Sequence, residues 1–120
     1  MTKQRQLIYD IICQSMDHLT ADSIHRAAQE TMPSIAVGTV YRNLNLMCES
    51  GEIMRVVIDN EPDRFDKNPV YHGHAICTGC KNVWDIDTCG LEDVLRLRTG
   101  LPIESYNLTV HCLCDKCRDN

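Results

Sequence analysis

His72-Gly73-His74-Ala75-Ile76-Cys77-Thr78-Gly79-Cys80, answered later by Cys114-Asp115-Lys116-Cys117, decides how the back half of this 120-residue chain is built. Each Cys-x-x-Cys clip bends the backbone so that two sulfurs face one ion, and four soft thiolates suit tetrahedral Zn²⁺. The imidazoles just ahead of the first clip are harder donors; mixed with carboxylates they suit a borderline divalent metal such as Fe, Mn, Ni or Zn. One short segment thus serves two kinds of metal. The spacing predicts structural zinc on Cys77, Cys80, Cys114 and Cys117. A redox dithiol of thioredoxin type competes with this reading, but it needs one pair opening a helix in a larger sheet and leaves the second pair unexplained. Cys112 and Cys114 point to the same face of a strand. Cys114 is preferred because it keeps the symmetric clip spacing.

Working outward, a chain of this length holds one compact domain or two very small ones, and small domains bury too little surface to be stable without a staple such as a metal or a partner. The eight cysteines do not follow an apolar signal segment, since Met1-Thr2-Lys3-Gln4-Arg5-Gln6 runs directly into an amphipathic pattern. A reducing cytoplasm is the expected location, and no apolar run approaches the length of a membrane span. The formal charge is −5, while residues 1–58 carry five basic and six acidic side chains. Global charge therefore neither selects nor excludes nucleic acid. Cys13, Cys48 and Cys89 have no clip partner and read as small buried or partly buried apolar groups.

The front half has helical periodicity. Thr2 is a candidate N-cap, and Leu7, Ile8, Ile11 and Ile12 recur at helical spacing to an end near Met16. Thr20 caps a second short helix with Ile24, Ala27 and Ala28, stopping before Pro33. A third helix begins near Ala36 with Val37, Val40, Leu44 and Met47 inward, and Gly51 closes it. Residues 53–58 and 64–66 read as strands around a turn at 60–63. Three helices and a hairpin make a winged helix-turn-helix, whose third helix enters the DNA major groove. Tyr41, Arg42 and Asn45 are its candidate base or phosphate contacts. The expected organisation is a winged-helix DNA-binding domain at 1–61, a hinge at 62–70 around Pro69, and a small α/β domain at 71–120. The fold class is α+β. Within the last domain, strands fall at 74–77, 83–86 and 106–112, with a short helix around Leu91 to Arg98.

His72 and His74, at i and i+2 of an extended segment, lie on one face and can share an ion. Alone, the pair reads equally well as two exposed histidines. Asp66 and Asp85, on either side, add possible oxygen ligands. His18 is the front-half histidine placed in a loop, whereas His25 reads as a surface residue and His111 as structural.

Ser15-Met16-Asp17-His18-Leu19-Thr20-Ala21-Asp22, Gly38-Thr39-Val40-Tyr41-Arg42-Asn43-Leu44, Glu49-Ser50-Gly51, Arg64-Phe65-Asp66, the His72–Cys80 segment and Val83-Trp84-Asp85 occur in the order found in the ferric uptake regulator family. Almost the whole chain resembles that family and, within it, the branch of peroxide-sensing repressors. The resemblance implies a homodimeric, metal-dependent repressor of a double-stranded DNA operator, with a winged helix, a hinge and an α/β dimerisation domain. It also implies a regulatory Fe²⁺ or Mn²⁺ on His18, Asp66, His72, His74 and Asp85. By the same resemblance, His18 and His72 are the residues oxidised when Fe²⁺ meets peroxide, with Mn²⁺ supporting DNA binding without that reactivity. Relatives that sense iron commonly have glutamate at the position of Asp66, so the aspartates favour peroxide sensing.

The chain departs from the family pattern in several places, one being that the helix around Leu91 to Arg98 is shorter than usual. The similarity begins at Thr2-Lys3-Gln4-Arg5 without the extra preceding helix. Ala36 stands where a serine usually caps the third helix. Tyr106-Asn107 replace histidines that bind a further metal in some relatives, so two metal sites per chain are expected. A repressor sensing metal concentration without oxidation is the nearest alternative. A zinc-ribbon interaction module would explain the cysteines but not the winged helix, and a dithiol oxidoreductase would explain neither His18 nor Asp66. Because no pattern supplies a nucleophile with a base and an oxyanion site, an enzyme is not expected.

Overall fold

The computed structural model describes residues 2–69 and 72–119; Val70 and Tyr71, at the expected boundary of hinge and second domain, lie outside the described residues. The chain divides into two compact units, Met1–Tyr71 and His72–Asn120, and its elements are helices and strands of an α+β protein.

In the first unit, α1 (Lys3–Gln14) starts at Thr2, whose side chain accepts from the Arg5 N–H. α2 (Ala21–Thr31) starts at Thr20, which accepts from the Ser23 N–H. Both caps satisfy an N–H that a helix start leaves without an intrahelical acceptor. α3 (Val37–Glu49) has no side-chain cap bond at Ala36, as that residue's lack of a polar group requires. Val40, Leu44 and Met47, on one face of α3, are fully buried. They pack with Ile8 and Ile12 of α1, Ile24 and Ala28 of α2, and Phe65 in one core. The helix ends in a paired turn: Glu52 N–H donates to Met47 O at 2.9 Å and Gly51 N–H to Cys48 O at 3.2 Å. Gly51 holds φ at +77° there, a conformation that costs glycine little.

A three-stranded antiparallel sheet completes the unit: β1 (Leu19–Thr20), β2 (Met54–Val56) and β3 (Arg64–Asp66), in the order β1-β3-β2. The hinge expected over 62–70 therefore begins inside this unit. Arg64–Asp66 is its central strand, held by pairing on both edges and by the buried Phe65.

The second unit is a sheet of order β5-β4-β6, from β4 (Gly73–Cys77), β5 (Val83–Ile86) and β6 (Thr109–Cys112). β4 is antiparallel to β5 and parallel to β6. The crossover between β5 and β6 carries α4 (Leu91–Thr99), and α5 (Asp115–Arg118) follows β6. The strand expected from residue 106 begins only at Thr109; before it, Leu108 is tied to β4 by its carbonyl, which accepts from His74 N–H at 3.2 Å. Left-handed glycines bound α4, Gly90 at φ +82° and Gly100 at +71°.

Candidate metal centres and nucleic-acid surface

The sulfur cluster forms because β4 and β6 run in register, Cys77 beside Cys112. Thr78 N–H donates to Cys112 O at 2.8 Å, so the chain beyond β6 arrives at the first clip. Cys77, Cys80, Cys114 and Cys117 bring their sulfurs within 4.8 Å of one another. Cys112 stays out of this group and points its thiol at Ile76 O, 3.6 Å away. The backbone N–H groups of Cys114 and Cys80 donate to Cys77 Sγ at 3.4 and 3.5 Å. Donors aimed at a sulfur favour its thiolate, and those of Cys114, then Cys80, lower the Cys77 thiol to about 5. Cys117 is pushed up to about 12, mainly by its hydrogen bonds to Cys114 and Cys77. Four sulfurs this close cannot all ionise unless a cation compensates them. An all-sulfur set of four fits Zn²⁺ on that chemistry. Gly79 sits where a Cβ would lie 2.7 Å from Cys117 Sγ and 2.9 Å from Cys117 Cβ, so glycine is required for the clips to close.

Harder donors occur in each unit. In the first, the Leu19–Phe65 pairing of β1 with β3 continues to place His18 opposite Asp66. His18 Nε2 lies 2.9 Å from Asp66 Oδ2, and Asp66 Oδ1 accepts from Asn68 N–H at 2.9 Å. Two cations support the loop that carries the histidine. Arg64 Nη1 donates to His18 O at 3.2 Å, and Lys67 Nζ donates to Ser15 O at 3.3 Å and Cys13 O at 3.4 Å. These supports were not identified from the sequence. The available signal was two basic residues bracketing a strand-end aspartate.

In the second unit, His74 of β4 stands opposite Asp85 of β5. Asp85 Oδ1 lies 3.0 Å from His72 Nε2 and 3.4 Å from His74 Nε2, with the two imidazole rings 4.5 Å apart. Two nitrogens and a carboxylate oxygen converge there, a set that fits Fe²⁺ or Mn²⁺ better than it fits a thiophilic ion. His72 and His74 are buried, so neither is the exposed surface histidine of the alternative reading.

Two other expectations need correction. His25 is half-buried, its Nε2 3.0 Å from Ile35 O, because the turn before α3 folds back onto α2. Cys89 is exposed; it lies in the turn before α4, where its N–H donates to Asp87 Oδ1 at 2.9 Å. Cys13 and Cys48 are half-buried, and burial pushes the Cys48 thiol up.

On the outer side of α3, Tyr41, Arg42 and Asn45 are exposed. Beside them Arg55 of β2 donates to Asp63 Oδ2 at 2.9 Å and to Asn45 Oδ1, with its guanidinium 5.1 Å from the Phe65 ring centre.

Residues 1–113 match the model of the ferric uptake regulator family. The peroxide operon regulator of Bacillus subtilis (strain 168) is 34% identical over 120 residues, covering 98% of this chain and 83% of the relative. The peroxide-responsive repressor PerR of Staphylococcus aureus (strain USA300) is 30% identical over 122 residues, covering 99% and 82%. Among solved structures, the ferric uptake regulator from Francisella tularensis with iron superposes with a TM-score of 0.85 at 26% identity, covering 98% of this chain and 93% of that one.

Proposed function

Because the chain belongs to the ferric uptake regulator family, a family of transcriptional regulators rather than enzymes, we propose that it is a metal-dependent, peroxide-responsive repressor acting as a homodimer on double-stranded DNA. The observation that carries this reading is the separation of donors by type. The second unit keeps its sulfur-only cluster separate from its His72, His74 and Asp85 donors, and the first unit holds the His18–Asp66 pair. The sulfurs are suited to a permanent zinc and the imidazoles and carboxylates to an exchangeable Fe²⁺ or Mn²⁺.

In this reading the zinc ligands are Cys77, Cys80, Cys114 and Cys117. The regulatory ion takes His18 and Asp66 from the first unit and His72, His74 and Asp85 from the second. The first unit serves as the DNA-binding one and the second as the dimerising one. An ion that needs all five ligands shifts the population toward the arrangement in which both units contribute, by its differential affinity for that arrangement. In a dimer this fixes the spacing of the two α3 helices against two DNA half-sites. The exposed apolar side chains Val94, Leu97, Leu101, Val110 and Leu113 of the second unit support a partner subunit there.

Fe²⁺ held by His18, Asp66, His72, His74 and Asp85 would supply the redox chemistry by which peroxide gives one oxygen to a neighbouring imidazole and leaves as water, the ring being the group oxidised. Oxidation of His18 or His72 removes one of the ligands that hold the units in the DNA-binding arrangement, and the operator is released. Aspartate at both carboxylate positions and the two peroxide-regulator relatives support this branch. Likeness to the iron-bound Francisella regulator at 26% identity favours a second reading, a sensor of metal concentration alone.

Anaerobic Fe²⁺ loading, dilute peroxide and peptide mass spectrometry separate the two. The peroxide reading expects one added oxygen on the His18 or His72 peptide, loss of operator binding, and protection by Mn²⁺. Unmodified peptides, with DNA released only on metal removal, leave the metal-concentration sensor.

A further inference from the structure

We infer that Asn45 and Arg55 read DNA as one donor-rich, cationic pair that selects guanine against adenine, an inference that rests on the DNA-binding reading above. Asn45 lies on the exposed side of α3 and Arg55 on the adjoining hairpin strand β2. Arg55 is held from several directions. Nη1 donates to Asp63 Oδ2 at 2.9 Å, Nη2 donates to Asn45 Oδ1, and the guanidinium carbon lies 5.1 Å from the Phe65 ring centre. Phe65 is buried and pairs directly with Arg55 across β2 and β3, so the aromatic platform is itself fixed. A guanidinium over an aromatic face gains cation–π attraction. Asp63 keeps this cation on the hairpin, which makes it a positioned donor rather than a free phosphate ligand.

The consequence concerns the asparagine. An asparagine that reads adenine presents Oδ1 to the N6 amino group and Nδ2 to N7 at the same time. Here one of the two lone pairs of Oδ1 accepts from the cationic Arg55 guanidinium, so an adenine amino group brought to the other would lie against N–H donors and a positive charge. What the pair offers outward is the Asn45 Nδ2 amide and the N–H groups of Arg55 that remain beyond those facing Asp63, Asn45 and Cys48, out of five guanidinium donors. Guanine carries acceptors at both N7 and O6, so its edge presents only acceptors to this set of donors.

The test is selection of bound duplexes from a randomised DNA library by the Mn²⁺-loaded full chain, comparing wild type with Asn45→Ala and Arg55→Leu. Thermal melting by circular dichroism checks that each variant is folded. The base pair whose preference weakens in Asn45→Ala marks the contact. Wild type is expected to prefer guanine over adenine there by about tenfold or more, the size of one good base contact. Arg55→Leu, which frees Oδ1, should shift the preference toward adenine. Adenine preferred by wild type, no position affected by Asn45→Ala, or guanine retained unchanged in Arg55→Leu would each overturn the inference while leaving sequence-specific DNA binding intact. Failure of wild type to select any sequence would overturn the DNA-binding reading, and this inference with it.

Discussion

The two units are held together by different chemistry. In the first, Ile8, Ile24, Val40, Leu44 and Met47 are fully buried and meet in one apolar core. In the second, the described buried hydrophobic residues are Ile76, Cys77 and Val83, joined by the buried His72 and His74, and α4 buries none of its side chains. Complete burial of an aliphatic side chain contributes about 1.5–3 kcal/mol, so the first unit has the usual means of a small domain. The second has few such contributions and many converging donors, so on the proposed reading metal and a partner subunit supply the rest of its stability.

Each of the following changes probes that contrast, from the largest effect to the smallest. Cys77→Ser should abolish zinc retention, removing an ion whose binding contributes roughly 10–16 kcal/mol to structural sites of this type. Hydrogen exchange should then accelerate through β4–β6 while α1–α3 stay protected; equal loss in both units would break the contrast. Leu44→Ala should do the reverse, costing about 2–5 kcal/mol in the denaturant stability of the first unit with full zinc content retained. Gly79→Ala places a Cβ against Cys117 and should weaken zinc binding by roughly ten- to a hundredfold, as for other changes beside metal ligands, read by competition with a chromophoric chelator. Ala36→Ser should stabilise the first unit by about 1 kcal/mol by capping α3, raising its melting temperature without altering metal content.

The same contrast governs what the sequence made legible. α1, α2 and α3 were readable because apolar residues recur with the helical period between recognisable caps and stops, as at Thr2, Thr20 and Gly51. The sulfur cluster was readable because two clips fix both ligand type and spacing. β1 was not, since two residues carry no periodicity, and with it went any residue-level reason to pair His18 with Asp66, 48 positions away; only the family resemblance joined them. The four-residue α5 was too short to register. His25 read as a surface residue because helical periodicity says nothing of a loop folding back. The supports from Arg64, Lys67 and Arg55 depend on strand register, which the pattern of apolar and polar residues left open.

On the proposed reading, one exchangeable ion takes ligands from both units. Equilibrium dialysis of the zinc-loaded protein with Mn²⁺, for wild type, His18→Ala and His74→Ala, tests it most directly. A shared ion predicts one exchangeable Mn²⁺ per wild-type chain and its loss, or a large and similar weakening, in either variant. Two exchangeable ions in wild type, with each variant losing only one, would contradict the account.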